Sequence, residues 1–231
     1  VVYKRQVENV AVYTVLGVDL EGRKDVLGHW VGTGDGEGAN FWLSVLSDLQ
    51  ARGVEDIFIA CIDGLKGFKE AIQAIFPRTE VQRCIVHQIR HSLKYVTWKD
   101  RKAFASDLKT IYQAATREDA ANTLLQLGDT WNERYAMAVR SWENNSEELS
   151  TLFDYPCEIR RLIYTTNIIE GYHRQLRKVV KTKGAFPSPQ ATRKLLYLLN
   201  QQATKKWTMP MVYWPKILNQ LAIRFGDRFP L

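Results

Sequence analysis

The sequence predicts an α/β fold, a mixed sheet flanked by helices and interrupted by an all-helical block. Three observations carry that prediction. Two β-rich runs share a glycine turn within the first 31 residues. The run Asp56-Ile-Phe-Ile-Ala-Cys-Ile62 is apolar on both sides, as strands in the middle of a covered sheet are. From about Lys99 to Tyr155 only helical periodicity remains, with no strand candidate.

The elements follow in order. Val1 to Lys4 reads as the remnant of an earlier strand. Val10 to Leu20 is β-branched and apolar, Glu21-Gly22 turns, and Asp25 to Val31 returns, which predicts an antiparallel hairpin. Residues 32–38 are glycine-rich and form a loop. Phe41, Trp42, Val45, Leu46 and Leu49 then recur at helical spacing, and Gly53 ends that helix. After the strand from Asp56 to Ile62, a helix runs from Leu65 to Phe76 and stops at Pro77. Glu80 to Ile85 is a short strand leading into a helix through Lys94. Phe104, Leu108, Ile111, Trp131, Tyr135 and Val139 belong to the helical block, assigned to residues 97–156, with Pro156 at its end. It divides the core into residues 1–96 and 157–231. Three helices follow: one bearing Glu170, one through Trp207 and one near Trp214 to Phe225, with a loop from Gly184 to Pro189 after the first.

At 231 residues the chain can hold one large domain, or one domain with an insertion. Its 45% hydrophobic and 25% charged content excludes a disordered chain. Its apolar runs are too short for a bilayer and its first residues lack signal-peptide character, so no membrane partner and a cytoplasmic location are expected. Three cysteines, Cys61, Cys84 and Cys157, point to reduced thiols, with Cys61 expected as a buried small hydrophobe. The net charge of +7 is unevenly placed. Residues 160–194 hold nine Lys/Arg against one acid, Glu170. A basic stripe of this kind is a footprint for polyanions, nucleic acid above all; the plainer reading is a solvated helix face.

Two carboxylates stand out. Asp63 follows the apolar strand and precedes Gly64, so it is expected at the carboxyl edge of the sheet, where ligand sites gather. An Asp before Gly is also an ordinary turn. Glu170, Arg174, Arg177 and Lys181 fall along one helix face, with Leu176, Val179 and Val180 as the apolar flank. An acid among cations suits a metal ligand beside a phosphate track, though it also suits a surface ion pair. Asn167 is expected to cap this helix. Cys84, His87 and His91 share helical spacing, but zinc lacks a fourth ligand, so His87 is better read as orienting the acidic site. Trp131, Trp142, Trp207 and Trp214 read as core more readily than as base-stacking platforms.

Three segments together resemble the Mutator-type transposases of bacterial insertion sequences. They are Gly53-Val-Glu-Asp-Ile-Phe-Ile-Ala-Cys-Ile-Asp63-Gly-Leu-Lys-Gly-Phe68, Cys84-Ile-Val-His87-Gln-Ile-Arg-His-Ser-Leu-Lys-Tyr95 and Tyr164-Thr-Thr-Asn-Ile-Ile-Glu170-Gly-Tyr-His-Arg-Gln-Leu-Arg-Lys178. Lys206 to Pro210 and Phe225 to Arg228 extend the likeness, which runs from about Tyr13 to Phe229. The resemblance implies an RNase H-like fold with a helical insertion before the last acid. It implies a DDE triad holding two Mg²⁺ or Mn²⁺ ions, with Asp63 as its second member and Glu170 as its third, both metal ligands. Cys84 and His87 match the family's C-x-x-H signature beside the site. Arg174, Arg177, Lys178, Lys181 and Lys183 are assigned to DNA phosphates.

The resemblance also implies double-stranded DNA as partner, at element ends and target, and a homodimer or higher oligomer on it. The chain departs from the family in three ways. The first acid is expected on the opening strand, yet no Asp precedes Tyr3-Lys4, and Asp19, one strand later, is a poor substitute. The chain is therefore expected to be incomplete and weakly active or inactive. The amino-terminal helical region that the resemblance implies for binding element ends is expected to be missing, and Ser146 stands where the resemblance leads one to expect an aromatic. An inactive DNA-binding remnant is the alternative reading, and a nuclease that nicks without joining is the third.

Overall fold

The structure is a computed structural model that describes residues 10–32, 38–164, 167–183, 186 and 188–229. The chain divides into two compact units, one of residues 1–54 and 166–231, the other of residues 55–165. The expected strand at Val1 to Lys4, most of the glycine-rich loop and part of the loop after Lys183 lie outside the described residues.

In the first unit β1 (Val12–Val18) and β2 (Lys24–Val31) form the expected antiparallel hairpin, in register from Val12 opposite Val31 to Val18 opposite Lys24. Between Val15 and Leu16 the register slips by one residue, a bulge the sequence reading did not contain. The Leu27 carbonyl at the bulge accepts from Arg52 Nη1 at 2.6 Å. The hairpin turn needs Gly22, whose φ is +78°. The Trp214 indole lies directly against its Cα, and Trp214 Nε1 donates to the Leu20 carbonyl at 2.8 Å.

Helix α1 (Ala39–Ala51) buries Trp42, Val45, Leu46 and Leu49, the face its spacing predicts. It ends in a left-handed Gly53, with Val54 N–H donating to the Leu49 carbonyl at 3.1 Å and Gly53 N–H to that of Gln50 at 3.0 Å, the two bonds of a Schellman cap. The unit is completed by helices at Asn167–Lys183, Pro189–Thr204 and Trp214–Phe225. Tyr172, Leu176, Leu196, Ala203 and Val26 make one apolar cluster, so the hairpin and the first two of these helices share a core.

The second unit is built on a parallel pair, with β3 (Ile59–Ile62) beside β4 (Glu80–Arg83) and α2 (Phe68–Ile75) as the crossover. Among the described residues, hydrogen-bonded strands occur only as this pair and the hairpin. Residues 56–58, expected as strand, precede the regular ladder. Asp56 turns its carboxylate onto the Ile57 N–H at 2.8 Å, and Thr79 Oγ1 takes the Ile57 carbonyl. Cys61 is exposed and not buried as expected. Among the described residues β3 is hydrogen-bonded to β4 alone.

Helices α3 (Ile85–Leu93), α4 (Arg101–Tyr112), α5 (Arg117–Glu143), α6 (Ser146–Ser150) and α7 (Cys157–Tyr164) complete the unit, with a 3-10 turn at Thr151–Asp154. Residues 97–156 contain no strand. Phe104 and Leu108 are fully buried, as their helical spacing requires. Trp131 and Trp142 are core residues, their indole N–H groups donating to Asp107 and to Ser92 Oγ at 2.7 and 2.8 Å. The helices from Asn167, Pro189 and Trp214 are α8, α9 and α10.

Candidate functional site

Asp63 sits where β3 ends, and the parallel register decides its company. Ile62 pairs with Arg83, and Cys84 N–H donates to the Ile62 carbonyl at 2.7 Å, so the next positions, Asp63 and Cys84, leave the sheet at the same carboxyl end. Cys84 is the N-cap of α3, which places His87 in its first turn. His87 Nε2 lies 3.7 Å from Asp63 Oδ2, both side chains partly exposed. The structure thus brings together Asp63, Cys84 and His87, which are 24 residues apart at most by number but adjacent by register.

Electrostatics at this edge is mixed. Burial pushes the Asp63 carboxyl above its ordinary value, while the charges of His87 and Arg83 draw it down. Burial likewise raises the Cys84 thiol, against the nearby backbone amides of His87 and Val86. His87 Nδ1 is buried with no hydrogen-bond partner among the described residues. Cys84 is buried and suited to packing, not to ligation. The zinc alternative gains no support, since among the described residues no three His, Cys, Asp or Glu side chains are placed to hold one metal ion. The Asp63 oxygens are hard donors at an accessible strand end, the ligand type that Mg²⁺ and Mn²⁺ prefer.

Two neighbours escaped the sequence reading. The Arg83 guanidinium lies across Gly64, such that a Cβ there would sit 2.5 Å from Nη2. Arg83 Nη1 donates to Glu148 Oε2 at 2.8 Å, and Lys69 Nζ stands 3.6 Å from Oε1. Arg83 directly precedes the Cys84 motif, a hint within the sequence; Glu148 offered none.

Glu170 belongs to the other unit, in the first turn of α8. Arg174, Arg177, Lys178, Lys181 and Lys183 are all exposed on this helix, while Tyr172 and Leu176 are buried. The first four of those cations share Glu170's side of the helix, opposite Tyr172, Leu176 and Val179; Lys183 closes the last turn. The side chain of Asn167, expected to cap α8, lies outside the described residues. The helix is locked to the hairpin by a chain of side chains. Tyr172 Oη and His29 Nε2 are 2.7 Å apart, and His29 Nδ1 and Thr14 Oγ1 are 3.0 Å apart. Burial pushes Tyr172 up to about 12 and draws His29 below its ordinary value, with His173 adding to the His29 shift. Nothing in the sequence marked His29 as part of this lock.

Comparison with known proteins adds a direct finding. A family model described as "Transposase, Mutator family" matches residues 1–210. A transposase for insertion sequence element ISRM3 of Rhizobium meliloti (strain 1021) is 44% identical over 224 residues, covering 96% of this chain and 56% of that protein. A probable transposase for an insertion sequence element of Corynebacterium diphtheriae is 37% identical over 245 residues, covering 97% and 71%. The transposase for insertion sequence element IST2 of Acidithiobacillus ferrooxidans is 32% identical over 225 residues, covering 96% and 74%. The chain spans about half the length of the Rhizobium protein.

Proposed function

The chain belongs to the Mutator family of transposases, and from that premise we propose that it forms the catalytic part of an enzyme that cuts DNA at insertion-sequence ends and joins them to a target. The observation that carries the reading is the parallel β3–β4 register, which sets Asp63 beside the C-x-x-H turn at the carboxyl end of the pair. The proposed fold is RNase H-like, with the helical block of residues 97–156 inserted before the Glu170 helix.

In this reading Asp63 and Glu170 would each supply carboxylate oxygens to Mg²⁺ or Mn²⁺, two ions in all, whose charge would favour attack first by water and then by a DNA 3′-hydroxyl and departure of the leaving oxygen. His87 orients the Asp63 carboxylate from 3.7 Å, and Cys84 packs beneath the same turn. Arg174, Arg177, Lys178, Lys181 and Lys183 take the phosphates of double-stranded DNA, an interaction that is strong at low salt and independent of sequence. Transposition holds two ends together, so a homodimer or higher oligomer on DNA is the proposed assembly. Among the described residues no helix is long and apolar enough to cross a membrane. A reaction on bacterial DNA takes place in the cytoplasm.

Two assays test this. Fe²⁺ replaces Mg²⁺ at carboxylate sites, and with ascorbate it cuts nearby backbone; the expected cuts flank Asp63, His87 and Glu170 and vanish in Asp63→Asn and Glu170→Gln. Strand transfer with Mn²⁺ is then measured for this chain and for a chimaera carrying the amino-terminal part of the Rhizobium relative. Joined products that depend on both carboxylates support the enzyme. DNA binding with no cuts and no products in either protein would favour an inactive DNA-binding module, and nicking without joining a nuclease.

A further inference from the structure

We propose that Glu148 is the counter-ion that holds Arg83 off Asp63, so that a carboxylate of the helical block keeps the Asp63 oxygens open to a divalent cation. The inference rests on the metal role proposed above for Asp63. Arg83 ends β4 and lies over the peptide that follows Asp63, with Cζ 2.6 Å from where a Gly64 Cβ would stand. It faces two carboxylates from there. Its hydrogen bond goes to Glu148 Oε2 at 2.8 Å, and no ion pair between Arg83 and Asp63 forms within 4.0 Å.

Glu148 is itself held in place. Lys69, from the start of α2, approaches its other oxygen at 3.6 Å. Gln82, wholly buried on β4, sends Nε2 toward the Glu148 and Leu149 carbonyls at 3.4 Å each. The short helix α6 is thereby pinned to the strand that carries Arg83. Gly64 completes the arrangement, because any side chain there would displace the guanidinium.

The chemistry follows from the inventory of partners. A guanidinium pairs with a carboxylate through two parallel N–H bonds, and those bonds occupy the oxygens a metal ion needs. If Glu148 is neutralised, Asp63 is a second carboxylate that feels the Arg83 charge, which already favours its ionisation. Arg83 then competes with the cation for Asp63. Glu148 is a positioning residue in this scheme, acting through Arg83 and touching no substrate.

The test is the Mn²⁺ concentration needed to broaden the Gly64 amide resonance, read in the whole chain beside melting curves that confirm folding. Glu148→Gln is expected to raise that concentration about tenfold, the scale of one hydrogen bond between charged partners. Adding Arg83→Gln to Glu148→Gln is expected to restore the wild-type concentration, and Glu148→Asp to retain it. A purely structural role for Glu148 makes the double variant at least as weak as the single one. That result, or an unchanged Glu148→Gln, overturns the proposal. Should Glu148→Gln fail to fold, Arg83→Gln alone decides: binding at least as tight as wild type is expected, and weaker binding overturns it. Asp63→Asn separates the premises, since unchanged Mn²⁺ broadening there removes the metal role of Asp63 and the Glu148 assignment with it.

Discussion

Replacing Tyr172 by Phe tests the lock between α8 and the hairpin. Tyr172 is 1% exposed, and its hydroxyl lies 2.7 Å from His29 Nε2, whose other nitrogen already meets Thr14 Oγ1. The ring packing against Trp207 and Leu176 survives the substitution; the hydroxyl alone is lost. A partly buried imidazole nitrogen is then left without its partner, a loss of about 1–2 kcal/mol. For a chain of this size that corresponds to a melting temperature lower by about 2–8 °C. Urea unfolding followed by tryptophan fluorescence measures it. A change within about 0.5 kcal/mol, the range of ordinary surface substitutions, would refute the reasoning. Thr14→Val should couple to Tyr172→Phe, because both act through one ring, and a strictly additive double variant would show that Thr14 and Tyr172 are not linked through His29.

The same ring sets a pH dependence. Burial lowers the folded value of His29, so the unfolded chain binds its proton first as pH falls. Stability from this group is complete above the ordinary histidine value of 6.5, declines as pH falls through the window between that value and the lower folded one, and then levels. His29→Gln should lack this decline, and a wild-type stability that rises on acidification through the window would contradict the assignment.

Three further outcomes are expected. Gly22→Ala forces a side chain into positive φ and against the Trp214 indole, and should cost about 2 kcal/mol or more in unfolding free energy. Changing Arg174, Arg177 and Lys181 to Gln together should flatten the slope of log affinity for duplex DNA against log salt by about 2.7, at 0.9 per lost phosphate contact; an unchanged slope would place the DNA elsewhere. The Arg83 hydrogen bond holds the Glu148 carboxyl below its ordinary value of 4.5, so its stabilisation is present above 4.5 and is lost as pH falls through the lower folded value. Melting curves of wild type and Glu148→Gln should therefore converge in acid.

Much of the local structure was legible because it is encoded locally. Trp42, Val45, Leu46 and Leu49 recur with the period of a helix, and one buried face is the consequence. Gly22 and Gly53 mark a turn and a helix end that demand positive φ, so their positions were readable without any knowledge of neighbours. Periodicity carries no information about who pairs with whom. The Leu27 carbonyl at the bulge meets Arg52 from 25 residues away, and Cys61 was misplaced because an apolar run does not name what packs against it.

The candidate site divides along the same line. Cys84 and His87 were tied to Asp63 by a motif, and the register supplies the cause: a strand end, a crossover helix and a second parallel strand return the chain beside Asp63, and three residues are one helical turn. A pairing that spans 65 residues has no such local trace. Glu148 sits in a segment whose Ser-Glu-Glu-Leu-Ser reads as an ordinary solvated helix, and only its contact with Arg83 gives it meaning. An acid that acts by occupying a cation is invisible to any reading that searches for the residues touching the substrate. Here the guanidinium lies over the peptide after Asp63, yet its hydrogen bond goes to Glu148.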